Sequence, residues 1–395
     1  MAATNRGRLI NFINGINGVN AGGQALINMP VNARYHRNKL QATAINYSGG
    51  SLITPFSGTI TAAATKKLTG AGNNDCTTNL TVLNGKVTAA AVNAGGTGYT
   101  TGDTIEPVDA TGIGCVLTVT AAAGVVTGLV VTVGGTPSAI SPVGFFSSVQ
   151  ELVNGVNMRD ISAASILRIA STEGITTALG ELPLYYTNPT ANVNQHNEVT
   201  SWDTFGQSTF ALKLGIATNV DTPGLQGVSE FDYLRNVRGG SNGAQVPFLQ
   251  PVAKHEYSFN INSGVNKINT IPFDYPIKRM YFLGGTPGNL TQLEVYQDGN
   301  KVFEATTDQM QEMYFDYGFQ FGQSNYLVDN FSKTTLTLLG QFNPPSFFDM
   351  AFISDTDQRL FKALTCENSL VLRVYSAIAQ QLTVVVETLP GGYIA

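Results

Sequence analysis

Residue types that carry catalysis or metal binding are sparse in this 395-residue chain, and their spacing suits neither. The three histidines, His36, His196 and His255, are scattered, and none has a second ligand at metal spacing. Asp355 and Asp357 in Asp-Thr-Asp, and Asp103 in a Gly-Asp turn, could give oxygens to calcium, but each reads more readily as a surface turn. Glu151, Asp160, Glu173 and Glu181 offer carboxylates with no reason to pair as general acid and base. No Gly-x-Ser-x-Gly elbow occurs, and the glycine-rich runs fall between expected strands rather than before a helix. Trp202, the only tryptophan, reads as a core or interface anchor. The sequence thus predicts no catalytic residue, cofactor, or metal site, and no enzyme.

What the chain does carry is a repeated scaffold. Val149 leads through Asn154-Gly155 to Ser162 and Gly174, and Leu293 leads through Asp298-Gly299 to Thr306 and Gly318. Asn154 to Asp298, Ser162 to Thr306 and Gly174 to Gly318 are each 144 positions apart. Asn-Gly and Asp-Gly are strong hairpin signals because both turn residues tolerate positive φ. The Ser or Thr suits a helix N-cap and the later Gly a helix end. Upstream, Ile27-Asn28-Met29-Pro30 and Ile268-Asn269-Thr270-Ile271-Pro272 each precede a basic strand, one with Lys39 and Leu40, the other with Lys278 and Arg279. The spacing from this point to the hairpin turn is longer in the first copy by about 97 residues, which implies an insertion there.

The insertion, roughly 57–141, is itself duplicated. Gly85-Lys-Val-Thr aligns with Gly124-Val-Val-Thr, Gly95-Gly96-Thr97 with Gly134-Gly135-Thr136, and Cys76 with Cys115. Thr-, Val- and Ala-rich strands between glycine turns follow from that pattern. Cys76 and Cys115 could bridge equivalent strands or be two small apolar core residues, and Cys366 reads as a buried apolar residue.

Only 12% of residues are charged, against about 25% in ordinary globular proteins. Surfaces so poor in charge suit interfaces better than free solvent. The net charge of −5 hides an asymmetry: residues 1–74 hold Arg6, Arg8, Arg34, Arg37, Lys39, Lys66 and Lys67 and no acid, so all 27 acidic residues follow. A basic start can face phosphate, in lipid or nucleic acid, or be a solvated end. No signal peptide and no membrane-spanning run is expected. Leu9, Phe12, Ile13 and Ile16 fall on one stripe of a short amphipathic helix that suits a neighbouring subunit or a membrane surface.

Strands are expected at Gln24–Met29, Leu40–Asn46, Phe146–Val153, Met158–Ile161, Glu181–Tyr186 and Thr209–Ile216, with a helix at Ala163–Glu173. The second copy should have strands at Tyr257–Ile261, Lys278–Leu283, Gln292–Gln297, Lys301–Glu304, Thr334–Gln341, Leu370–Tyr375 and Leu382–Thr388, with a helix at Thr307–Tyr317. Asn188–Ser201 and Asp232–Pro251 read as loops. The expected fold is all-β: two tandem eight-stranded jelly rolls, each with one short helix, plus a small β-domain inserted in the first. The corresponding division is 1–20 as an arm or helix, 21–56 with 142–235 as the first jelly roll, 57–141 as the insertion, 236–250 as linker and 251–395 as the second jelly roll.

These residues carry a resemblance. Val153-Asn-Gly-Val-Asn-Met-Arg159, Gly180-Glu-Leu-Pro-Leu-Tyr-Tyr186 and, more loosely, Asn28-Met-Pro30 with Arg34-Tyr35-His36 are similar to the double jelly-roll major capsid proteins of tectivirus- and corticovirus-type phages. The likeness covers about residues 20–56 and 142–393. The insertion departs from compact members of the family, and its Gly-Gly-Thr-Gly-Tyr99 run resembles β-modules of phage surface proteins. The resemblance implies a virion protein made in the host bacterial cytoplasm. Its homotrimeric, pseudo-hexagonal capsomers would tile an icosahedral shell over an internal membrane. The implied partners are further copies, penton and minor capsid proteins, and membrane lipid through residues 1–20, with no specific nucleic-acid sequence. The insertion would form an outer tower, and Tyr314, Phe315, Tyr317, Phe319, Phe321, Phe347 and Phe348 would supply aromatic contact area. A phage receptor-binding or adhesin-type β-protein is the alternative; it would share the composition but lack the 144-residue duplication.

Overall fold

The computed structural model describes residues 9–45, 56–187, 201–309, 347–351 and 363–389, apart from 15, 71, 109–113, 136–137, 173–174, 176, 205–206, 233–237, 240–244, 247–251, 285–288 and 308. The chain opens with strands β1 (Leu9–Phe12), β2 (Gln24–Met29) and β3 (Arg34–Ile45). The insertion supplies β4 (Gly58–Thr69), β5 (Thr77–Leu83), β6 (Lys86–Ala94), β7 (Thr104–Pro107), β8 (Cys115–Ala122) and β9 (Val125–Gly134). Next come β10 (Ser138–Ala139), α1 (Pro142–Phe145), β11 (Phe146–Val153), β12 (Val156–Asp160), α2 (Ala163–Thr172), β13 (Glu181–Tyr185), β14 (Trp202–Asp203), β15 (Phe210–Ile216) and β16 (Asp221–Asp232). After the short β17 (Arg238–Gly239) and β18 (Gln245–Val246) come β19 (Ala253–Ile261), β20 (Gly264–Ile268), β21 (Ile277–Gly284) and β22 (Leu290–Gln297). The last strands are β23 (Asn300–Thr306), β24 (Phe347–Ala351), β25 (Leu370–Ser376) and β26 (Gln380–Thr388).

Hydrogen-bonded neighbours show the same jelly roll twice. In the first barrel β2-β15-β11-β12 form one sheet, and in the second β20-β25-β22-β23 follow the same order. The opposing sheets correspond likewise. β1-β16-β3 has β10, β13 and β14 along the other edge of β3, and β19-β26-β21-β24 is its counterpart. Alternation along the strands fills one interior per barrel: Tyr35, Leu40, Leu182, Phe210 and Leu212 in the first, Met280, Phe282, Leu293, Leu372 and Val384 in the second. Both hairpin turns take the expected form, with φ of +51° and +78° at Asn154-Gly155 and +48° and +84° at Asp298-Gly299.

The insertion closes on itself around its own core, which includes Cys76, Leu80, Val87, Cys115, Leu117 and Val126. Both of these cysteines are free and buried, so they are apolar core residues and not a bridge; Cys366 is free and half-buried. Two glycines bring β6 and β9 together. A Cβ on Gly95 would lie 2.6 Å from the Val126 carbonyl oxygen, and one on Gly134 would lie 2.7 Å from that of Val87. The far end of the insertion returns to the first barrel, where β10 pairs with Thr43 and Ala44 of β3.

Several expectations need correction. Leu9–Phe12 is a strand, not part of a helix, and pairs antiparallel with β16 from Leu9↔Phe231 to Phe12↔Val228. Asn11, Asn14, Gly15, Asn17 and Gly18 make this stretch a poor helix former, and an available sheet edge decides its conformation. β16 is a strand beyond those expected, and it forms although Pro223, Gly224 and Gly227 are poor strand formers. Gly227 instead gives room to a neighbour: a Cβ there would meet Ile13 Cδ1 at 2.7 Å. Within the expected linker, Arg238↔Val246 and Gly239↔Gln245 form a small ladder. The expected loop at Asn188–Ser201 and strand at Thr334–Gln341, most of the second helix, and Glu173, Gly174, His196, Gly318, Asp355, Asp357 and the aromatics at 314–321 lie wholly or mainly outside the described residues.

Candidate assembly site at the barrel seam

Among the described residues no group of three or more His, Cys, Asp or Glu side chains is placed to hold a metal. Asp103 is buried and occupied by its own turn, accepting from Thr100 N at 2.9 Å and Thr100 Oγ1 at 2.7 Å. His36 lies beside Asp232 at 2.7 Å, where Arg34 also donates to the carboxylate from Nη2 at 2.8 Å. Burial opposes the charged form of Asp232, but the His36 and Arg34 hydrogen bonds outweigh it and hold the carboxyl below its ordinary range. This network ties β3 to β16 across 198 positions of sequence, a separation no local motif reveals. His255 stands apart on β19, paired in register with Asp160.

The carboxylates also remain separate. Glu181 pairs with Lys39 at 2.6 Å on the outer face, and Asp160 accepts from Gln150 and Asn157. Glu151 is inside the first barrel, where Arg159 approaches it at 3.3 Å and Tyr186 donates to it at 3.1 Å. Desolvation pushes the Glu151 carboxyl up, against the pull of Arg159. The Arg159 guanidinium also lies over Trp202, 4.4 Å from its centroid, which confirms that tryptophan as a core anchor. The adjoining cavity has a volume of about 60 Å³.

That cavity is lined from both barrels, by Arg159 and Ile169 of the first and Lys254 of the second. Here β12 pairs in parallel with β19, Arg159↔Lys254 and Asp160↔His255, so one eight-stranded sheet runs from the first barrel into the second. Helix α2 reinforces the seam. Ala163 and Leu167 pack into the first barrel, while Ile169 packs with Ile161 against Tyr281, Leu283 and Val385 of the second. Glu256 on β19 crosses over to the helix start, accepting from Ser162 N at 2.7 Å and Ser162 Oγ at 3.1 Å. Ser162 Oγ accepts in turn from Ser165 N at 3.2 Å, the N-cap bond expected from sequence. The helix thus begins with a capping box whose acidic member comes from the other barrel. At Thr306 the box is local: Thr306 N donates to Gln309 Oε1 at 3.0 Å, and Gln309 N donates to Thr306 Oγ1 at 3.3 Å.

Such a site joins two β-barrels by strand edge, helix face and buried charge. The comparisons with known proteins agree. Residues 251–391 match the family model for the viral coat protein P2 C-terminal domain. The second barrel is a viral coat-protein domain. No curated protein sequence matches the chain. Among solved structures it is similar to the major capsid protein P2 of bacteriophage PM2, with 12% identity and a TM-score of 0.54 over 98% of this chain and all (100%) of that one. The STIV major capsid protein is a further neighbour, at 10% identity and a TM-score of 0.49 over 98% of each chain. The PM2 likeness agrees with the strand order in giving a double jelly roll. The coat-domain match covers the second barrel, and the double jelly-roll fold extends over the whole chain.

Proposed function

We propose that three copies of this coat protein form a pseudo-hexagonal capsomer, and that such capsomers tile an icosahedral shell over an internal membrane. The observation that carries this reading is the duplication: two barrels of one strand order, joined side by side, give six similar barrels in a trimer. Few charged residues, 12% of the chain, leave little to desolvate at the contacts between copies. We divide the chain as 21–56 with 142–235, 57–141 and 251–395, with the middle part standing as a tower on the outer face. Its self-contained core and the return of β10 to β3 support that placement. Penton and minor capsid proteins would meet the capsomer rim.

Arg6 and Arg8 suit an anionic lipid face, at about 1 kcal/mol per basic residue near such a surface. The lipid-facing segment is residues 1–8, since Leu9–Phe12 belong to a sheet. No helix among the described residues is long and apolar enough to cross a membrane. Light scattering on purified protein should return the mass of three chains, and negative-stain images should show flat hexagonal particles with a raised centre. Monomers or fibres would defeat the trimer and favour a receptor-binding protein. Removing residues 2–8 should preserve the trimer and weaken its binding to anionic vesicles; unchanged binding would remove lipid from the partners.

A further inference from the structure

The inner seam and the outer edges of this chain are made from matching parts. In sheet order β23 is the counterpart of β12, and β1 is the counterpart of β19. Within the chain β12 is covered by β19, and its Met158 is 9% exposed. The residue 144 positions later is Val302 on β23; β23 ends its sheet among the described residues, and Val302 is 44% exposed. β1 also ends its sheet among the described residues, with Ile10 and Phe12 exposed at 67% and 78%. Among the described residues each chain therefore presents one uncovered edge of each kind that its own seam joins. Long-lived proteins rarely leave apolar strand edges uncovered.

We propose that β23 of one copy pairs with β1 of the next, repeating between chains the seam that β12 and β19 make within one. The inference rests on the trimer proposed above and names the surfaces that close it. The contact is heterologous, head to tail, so three copies close a ring of six barrels with three seams inside chains and three between them. The caps fit the same scheme. At the inner seam β19 supplies Glu256 to the helix start, whereas β1 itself carries no carboxylate. The second-barrel helix carries its own reciprocal partner, Gln309.

Cross-linking tests the pairing. In a Cys366→Ser background, Val302→Cys is combined with Phe12→Cys or, for the alternative register, Ile10→Cys, and the assembled protein is mildly oxidised. At least one double variant should run as a covalent trimer without reductant, while the single variants run as monomers. Val302→Asp should lower the trimer fraction at least tenfold with an unchanged near-ultraviolet spectrum. A trimer by light scattering in which neither pair cross-links and Val302→Asp has no effect overturns the edge pairing and leaves the trimer standing. A monomer by light scattering overturns both. Covalent chains running past three copies would keep the pairing and overturn closure of the ring.

Discussion

The two hairpin–helix units have the same turns and the same spacing, yet one is enclosed and the other exposed. β12 lies against β19, buries Met158 and Arg159, and starts its helix with Glu256 from the other barrel. β23 has Val302, Lys301 and Glu304 exposed and starts its helix with Gln309 of its own. The turn residues repeat the contrast in chemistry. Asn154 Oδ1 accepts from Ser208 N, Ser208 Oγ and Thr209 N; the Asp298 carboxylate accepts from the backbone of Glu367, Asn368 and Ser369. Local sequence builds both units alike, and what lies beside them sets their burial.

The largest difference should come from replacing equivalent side chains on the two strands. Arg159→Ala leaves Glu151 buried without its partner and should cost about 3–5 kcal/mol in chemical denaturation. Phe303→Ala, 144 positions later on the open strand, should cost about 1 kcal/mol in dissociated protein. Equal losses would erase the distinction between covered and open strands.

The helix starts should differ by less. Glu256→Ala leaves the Ser162 amide unsatisfied across the seam and should cost about 1–2 kcal/mol, whereas Gln309→Ala, at an exposed start, should cost about 0.5 kcal/mol. Ser162→Ala and Thr306→Ala should each fall within about 0.5–2 kcal/mol. A neutral Glu256→Ala would mean that the second barrel does not support the first helix.

The smallest effect is a pH dependence. Backbone donation from Glu367, Asn368 and Ser369 holds the Asp298 carboxyl below its ordinary value. Its contribution is therefore complete above the unfolded value near pH 4 and is lost as pH falls through the lower folded value. Asp298→Asn should flatten that part of the stability profile below about pH 4, and Asn154→Asp should introduce a matching slope in the first barrel. An unchanged profile in both variants would show that the two carboxamide or carboxylate clasps contribute nothing that titrates.

Much of the scaffold was legible because it depends on local chemistry. Positive φ at Asn154-Gly155 and Asp298-Gly299 restricts residue choice; alternation marks Phe146–Val153 as a strand, and a buried β-branched run marks Leu382–Thr388. The seam was not legible, because Glu256 meets Ser162 across 94 positions and Arg34 meets Asp232 across 198. β1 misled for a related reason: four residues of strand owe their form to β16, which lies more than two hundred positions away. Glycines in β16 marked close packing under Ile13 rather than a break in the strand.

The most direct measurement is backbone hydrogen exchange on dissociated and assembled protein, read strand by strand. β12 and β19 should be protected in both states, since their seam lies within the chain, whereas β1 and β23 should exchange readily when dissociated and gain protection together on assembly. Equal protection of all four strands in dissociated protein, or assembly that leaves β1 and β23 unprotected, would contradict the account of one covered seam and one that a second copy covers.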